Sequence, residues 1–195
     1  MKYLKKIKNG SIRLWYYMLG NFLSLFGYDR IYLKGKFFGV MGVGWIWLVN
    51  DFLFQKFFKI NSDVPWPVSP KVMVGDYRNI IFDNDDINNF QSSGIYFQAI
   101  DAKLVIGKGT WIGPNVGLIT SNHDINNPDK RVDGKNIILG EKCWVGMNSV
   151  ILPGVILGSH TTVGAGSVVT KSFEEGYCVI AGNPAKIIRY IDKNN

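Results

Sequence analysis

Read in sixes from Leu139, the chain runs LGEKCW, VGMNSV, ILPGVI, LGSHTT, VGAGSV, VTKSFE. The first position is aliphatic each time, at Leu139, Val145, Ile151, Leu157, Val163 and Val169, and the second is glycine at positions 140, 146, 158 and 164. An earlier run, IGKGTW, IGPNVG, LITSNH, keeps the same phase from Ile106, Ile112 and Leu118. A period of six is neither the alternation of a strand nor the roughly 3.6 of an amphipathic helix. Hexapeptide repeats mark a parallel β-helix. Three short strands close a triangular coil of about eighteen residues, and coils stack at about the 4.8 Å of paired strands. The aliphatic position points inward, and the small second position is expected to let the chain turn the corner.

The phase breaks once. Ile106 to Leu139 is 33 residues, one coil of eighteen plus fifteen more. The surplus lies in NHDINNPDKRVDGK, Asn122–Lys135, whose Asn, Asp, Pro and Gly content predicts an external loop near 122–135. A loop pushed out of a rigid solenoid beside a histidine is a place to look for function. Upstream the pattern weakens. Val74-Gly75 and Ile80–Phe82 can begin coils that Asp83–Asn89 interrupts, with irregular coils from about Val64. Ser11–Gly27 predicts one or two aromatic helical turns broken near Gly20, and residues 31–60 read as helix or strand equally well. The β-helix should end near Gly182-Asn183-Pro184, followed by a short cap. The expected organisation is an N-terminal region over 1–63, a β-helix over 64–184 and a C-terminal cap over 185–195.

Hydrophobic residues at 47% against 19% charged allow a sizeable core. Cys143 and Cys178 are too few for a disulfide scaffold and lack metal-ligand spacing, so they read as buried thiols. The net charge of +7 is uneven: residues 1–60 carry ten Lys/Arg against Asp29 and Asp51, and the rest carries twelve against thirteen. Basic residues there alternate with aromatics, as in Arg13-Leu14-Trp15-Tyr16-Tyr17, a surface that attracts anionic lipid headgroups or nucleic acid, or simply surrounds a core with solvated charge. Its longest uncharged runs, Leu14–Tyr28 and Phe37–Asn50, fall short of the roughly 18 to 20 apolar residues of a spanning helix. No signal-peptide pattern follows the first lysines. The chain is expected to be cytoplasmic, with peripheral contact to the inner membrane face and no nucleic-acid partner.

Several motifs sit on this frame: Asn122-His123-Asp124, Cys143-Trp144-Val145-Gly146, Ile151-Leu152-Pro153-Gly154-Val155, Val163-Gly164-Ala165-Gly166-Ser167-Val168-Val169-Thr170-Lys171, and Ala181-Gly182-Asn183-Pro184-Ala185-Lys186. On these, the stretch from about Ile106 to Arg189 resembles the hexapeptide-repeat acyltransferases, above all the maltose, galactoside and nodulation-factor acetyltransferases. The resemblance implies an all-β fold built as a left-handed parallel β-helix, a homotrimer with sites between neighbouring β-helices, and acetyl-CoA as acyl donor.

By motif, His123 matches the family's catalytic base, which takes the proton of the acceptor hydroxyl as that oxygen attacks the thioester. An imidazole with an ordinary pKa near 6.5 suits the task. The resemblance puts the acceptor at Asp101, Ser93 (where the sugar acetyltransferases usually have Asn) and Asp124, the last either orienting the histidine or starting the loop as a turn former. It puts acetyl-CoA along Trp144, Gly146, Met147 and Ala165, with an oxyanion-hole amide near Gly146. Thr170, Lys171, Lys186 and Arg189 fall where the family meets the nucleotide and its phosphates.

No metal is expected. A zinc hydratase on the same β-helix needs three histidines, and this chain has His123 and His160 at different hexad positions. A non-enzymatic scaffold would need neither the loop histidine nor the Gly-Asn-Pro-Ala-Lys segment. The expected reaction is O-acetylation of a sugar hydroxyl on a surface polysaccharide or its precursor; N-acetylation of an amino sugar, or acetylation of serine or a streptogramin, is the alternative.

Overall fold

The computed structural model describes residues 2–193, with side chains from residue 10 onward. The chain divides into two compact units, Met1–Pro70 and Lys71–Asn195.

In the first unit, helix α1 (Lys2–Leu23) runs through Gly20 without a break, and α2 (Val43–Phe52) passes into a π-helical turn at Leu53–Phe57. Gly20 is therefore no breaker. A Cβ there would lie 2.9 Å from the Trp45 ring, so the glycine is where α1 closes onto α2. Tyr17 meets the same indole edge-on at 5.6 Å between centroids. Gln55, fully buried, ties the rest together: its amide nitrogen donates to Asn61 O (3.2 Å) and Trp66 O (3.1 Å). Its oxygen accepts from the Tyr28 hydroxyl and the Val68 N–H, both at 3.0 Å. Burial first, and the Asp51 charge second, push the Tyr28 hydroxyl far above its ordinary range.

The second unit is a left-handed parallel β-helix. Its strands are β1 (Met73–Val74), β2 (Ile80–Ile81), β3 (Tyr96–Phe97), β4 (Leu104–Ile106), β5 (Trp111–Ile112), β6 (Gly117–Leu118) and β7 (Ile137–Leu139). They continue with β8 (Trp144–Val145), β9 (Val150–Ile151), β10 (Ile156–Leu157), β11 (Thr162–Val163), β12 (Val168–Val169), β13 (Cys178–Gly182) and β14 (Ala185–Tyr190). They form three sheets: β1-β3-β6-β9-β12, then β2-β4-β7-β10, then β5-β8-β11-β13-β14. The chain visits them in that order, once per coil. Leu118 pairs with Ile151 and Ile151 with Val169, so the step is 33 residues across the loop and eighteen thereafter. Among the described strands every pairing is parallel except β13 with β14, which closes the third sheet antiparallel after the cis Asn183–Pro184 bond.

All nine first-position aliphatics, from Ile106 to Val169, are at most 4% exposed. A second inward column runs two residues earlier in each hexad, through Leu104, Thr110, Val116, Ile137, Cys143, Ser149, Val155, Thr161 and Ser167. Its polar members are satisfied at the corners, as in Thr110 Oγ1 to Gly140 O (2.7 Å) and Ser167 Oγ to Gly164 O (2.6 Å). Where the acidic run interrupts the repeat, residues 84–91 form a 3-10 helix. Buried Asn89 stands in for a strand beside β5, donating to Thr110 O (2.9 Å) and accepting from Ile112 N (3.0 Å).

The second-position glycines do not turn the corner, contrary to the sequence expectation. The left-handed conformation falls at the fourth position, at Gly109, Asn115, Lys142, Asn148, Gly154, His160 and Gly166, with φ between 51° and 86°. The second position is small because the next coil's backbone lies against it. A Cβ on Gly140 would meet Ser159 N at 2.5 Å, and one on Gly146 would meet Ala165 N at 2.7 Å. His160, at a fourth position, stacks on Tyr177 of the following coil, 4.5 Å between ring centroids.

Replacing Gly140 with Val should cost about 3 kcal/mol, roughly 6–12 °C in melting temperature. Lys142→Gly, two residues on, should be neutral or stabilising by up to about 1 kcal/mol, because it relieves a left-handed backbone. Burial raises the pKa of both Cys143 and Cys178 above the ordinary 9.0, holding them as neutral thiols. The stability this contributes is whole below about pH 9 and is lost as pH rises further. Iodoacetamide at pH 8 should therefore label both only on unfolding, as read by mass spectrometry.

Candidate active site

The chain leaves the prism after β6 and returns at β7, so the loop stands at the corner between the first and second sheets. Its root is held by ladder bonds from Lys135 N to Thr120 O (2.8 Å) and Val132 N to Asn122 O (3.0 Å). Within the loop, Asp124 Oδ1 accepts from Asn126 N (2.7 Å) and Asn127 N (3.2 Å), and Asp124 N donates to Lys130 O (2.9 Å). Asp124 is thus a turn former, and it is not what meets the histidine ring. The Pro128 carbonyl does that, 2.6 Å from His123 Nδ1. A carbonyl oxygen only accepts, so Nδ1 carries the proton and Nε2 of the neutral ring keeps its lone pair.

His123 is exposed and borders two clefts. One of about 40 Å³ is lined by Gln98, Ile100, Ser121, Asn122, His123 and Arg131. The other, about 320 Å³, lies among Asn122, His123, Asp124, Ile125, Asn126 and Val132. Gln98 was not picked out by the sequence. Its side-chain oxygen accepts the Ser121 N–H at 2.8 Å and so bridges two coils beside the histidine. It lies where the hexad phase is weak, which hides it. Arg131, opposite His123 across an antiparallel bridge, had only its charge to mark it.

Asp101 is exposed at the same corner one coil earlier, with φ 59°. The returning limb of the loop backs onto it: a Cβ on Gly134 would lie 2.9 Å from the Asp101 carbonyl carbon. Asp101 lines neither cleft at His123. Thr170 and Lys171 follow β12 at this corner too, with Lys171 bordering a 440 Å³ cleft that also touches Ile187 and Tyr190 of β14.

The remaining predicted residues gather elsewhere. Trp144 lies on the outer face of the third sheet, in register with Trp111, and the two indoles are 60% and 58% exposed. Trp111 holds the same hexad position, a signal present in the sequence. Gly146, Met147 and Ala165 lie between the third and first sheets, and Lys186 and Arg189 lie on β14. Ser93 belongs to this corner: Asn115 N donates to its carbonyl (2.9 Å), as Gly166 N does to that of Met147 (2.9 Å). It is not brought to His123. The Gly146 amide is also committed, donating to Val163 O at 2.9 Å, so it has no N–H to offer an oxyanion. One chain therefore carries His123 and Asp101 at one corner and Trp144, Gly146, Met147, Ala165 and Ser93 along another face and corner. Among the described residues no group of three or more His, Cys, Asp or Glu side chains could hold a metal.

Residues 136–171 match the family described as Bacterial transferase hexapeptide (six repeats). The galactoside O-acetyltransferase of Escherichia coli K12 is 31% identical over 147 residues, 73% of this chain and 69% of its own length. An E. coli K12 protein named "Putative colanic acid biosynthesis acetyltransferase WcaF" is 33% identical over 64% of this chain and 59% of its own. A solved galactoside acetyltransferase in complex with coenzyme A aligns with 32% identity over 51% of this chain and 50% of its own, at a TM-score of 0.47. The chain spans about three fifths of the length of several curated relatives.

Replacing Asp124 with Ala removes an acceptor shared by two amides. Hydrogen exchange at Asn126 and Asn127 should speed up about tenfold, equivalent to ~1.4 kcal/mol of local protection, with the β-helix amides unchanged.

Proposed function

Because the chain belongs to the bacterial hexapeptide-repeat transferases, we propose that it moves the acetyl group of acetyl-CoA onto a sugar hydroxyl. The acceptor is a surface polysaccharide or its precursor, and His123 is the general base. The observation that carries the reading is the His123 ring itself, with its Nδ1–H donated to Pro128 O and Nε2 left as an exposed base.

Nε2 takes the hydroxyl proton as the sugar oxygen attacks the thioester carbon. The tetrahedral intermediate collapses, breaking the C–S bond, and the departing thiolate receives the proton from the imidazolium. Help of this kind is typically worth about 10²–10⁴ in rate. An amide next to Gly146 in the third-to-first corner, rather than Gly146 N–H itself, serves the developing oxyanion. Trp144, Met147 and Ala165 flank the pantetheine arm, while Lys186, Arg189, Lys171 and Thr170 face the nucleotide phosphates. Asp101 holds the acceptor. No step needs a metal.

The separation of the two groups of residues favours a homotrimer. The base of one protomer meets the donor face of its neighbour, and the cyclic arrangement repeats that seam three times. Ile125, at the loop tip and 96% exposed, gains a reason under this arrangement, because an apolar side chain held that far out is covered by an adjoining protomer. Ser93 then reaches an acceptor only from the neighbouring chain. The relatives named for galactoside and colanic acid support a sugar acceptor. The proposal places the enzyme in the cytoplasm, resting against the inner membrane face.

His123→Ala should lower turnover on an acceptor sugar at least 100-fold while acetyl-CoA still raises the melting temperature as in the parent. Full retained activity would reject the base assignment. Lys186→Ala with Arg189→Ala should weaken CoA more than dephospho-CoA; equal losses would remove the phosphate contact. Acceptors are found by screening cell-extract glycans for an acetyl-CoA-dependent gain of one acetyl group.

A further inference from the structure

In α1 the side that packs on α2 carries Tyr17 and Gly20. On the opposite side Ile12, Trp15, Met18 and Phe22 recur at steps of three and four, which aligns them in one stripe. They are 46, 52, 57 and 57% exposed, and Phe26, at 52%, extends the stripe beyond the helix with its ring 5.4 Å from that of Phe22. Four large apolar side chains in line on a helix whose other face is already packed, with Phe26 just beyond its end, form a patch of the kind that marks an interaction surface.

The charge of this unit selects the occupant. Up to Pro70 there are ten Lys/Arg against Asp29, Asp51 and Asp63, and no acidic residue precedes Asp29. A second copy laid on the stripe would bring two such cationic units together, which like-charge repulsion opposes. Nucleic acid would satisfy the charge but offers no apolar medium for Ile12, Met18 and Phe22. An anionic lipid surface satisfies both, with phosphates for the cations and acyl chains for the stripe. Spanning is not at issue, since among the described residues no helix is long and apolar enough to cross a membrane.

We infer that Ile12, Trp15, Met18, Phe22 and Phe26 form an in-plane docking surface for an anionic phospholipid bilayer, with cations such as Arg13, Lys34 and Lys36 drawn to the headgroup phosphates. This rests on the peripheral placement proposed above and names the surface and the lipid charge that the placement uses.

The test is flotation of the full chain with vesicles of phosphatidylcholine alone or with 30 mol% phosphatidylglycerol. Binding to the anionic vesicles should exceed binding to the zwitterionic ones at least tenfold at low salt. Trp15→Ser, Met18→Ser and Phe22→Ser together should lower it at least tenfold, with an unchanged far-ultraviolet spectrum and unchanged acetyl transfer to a soluble sugar. Arg13→Gln with Lys34→Gln and Lys36→Gln should weaken binding while leaving the stripe intact, which covers the case in which the serine variant fails to fold. Equal binding to both vesicle types, or no loss in either variant, overturns the inference. So does an assembly larger than a trimer that the serine variant dissolves, because the stripe then belongs to a second copy. Vesicle binding by a chain that transfers no acetyl group would leave the docking surface standing and remove the transferase reading alone.

Discussion

The β-helix depends on the backbones of successive coils lying against one another with no side chain between them. The second-position glycines are where that demand is sharpest. Their amides all donate to the following coil, as in Gly107 to Leu139 O (2.8 Å), Gly140 to Leu157 O (2.8 Å) and Gly164 to Ile180 O (2.8 Å). An added Cβ would strike the neighbour's main chain at Gly107 and Gly140, and the Ala181 Cβ at Gly164. Direction is then changed two residues later, by residues that accept a left-handed backbone. Closeness and curvature are separate requirements met by separate positions, and the inward aliphatic columns fill the space the two define.

That rigidity is what gives the loop at residues 122–135 its use. Both ends of the insertion are fixed in the ladder, and the segment between is knit by its own carboxylate and amide acceptors. The imidazole has little freedom left: its backbone is bridged to Arg131 and one ring nitrogen is committed to a carbonyl. The proton is assigned by geometry, without a carboxylate partner. A carbonyl oxygen is enough to fix the tautomer, because it accepts the Nδ1 proton and leaves Nε2 facing outward.

Much of this was legible because it repeats. The aliphatic column and the loop both followed from a six-residue phase with one offset. The second inward column was harder to see, because Thr110, Ser149, Thr161 and Ser167 look polar until the corner carbonyls they bond are known. Asn89 and Gln98 were hidden for a related reason. Each uses its side-chain amide where a regular coil would use backbone, and no periodicity records that. Gly20 misled because a glycine that admits a neighbouring helix and one that breaks its own look identical in one dimension. Ser93 was aligned by motif, but motif spacing does not say which corner of a triangle a residue occupies.

The last strand also has a consequence. A stack of parallel coils ends in open strand edges, and each would otherwise be a template onto which another coil, or another molecule, could add. By turning back antiparallel along β13 from Ala185 to Tyr190, the chain covers the edge of the third sheet with a strand running the wrong way to seed a further coil. The repeat thereby remains a finite body instead of the first segment of a fibre.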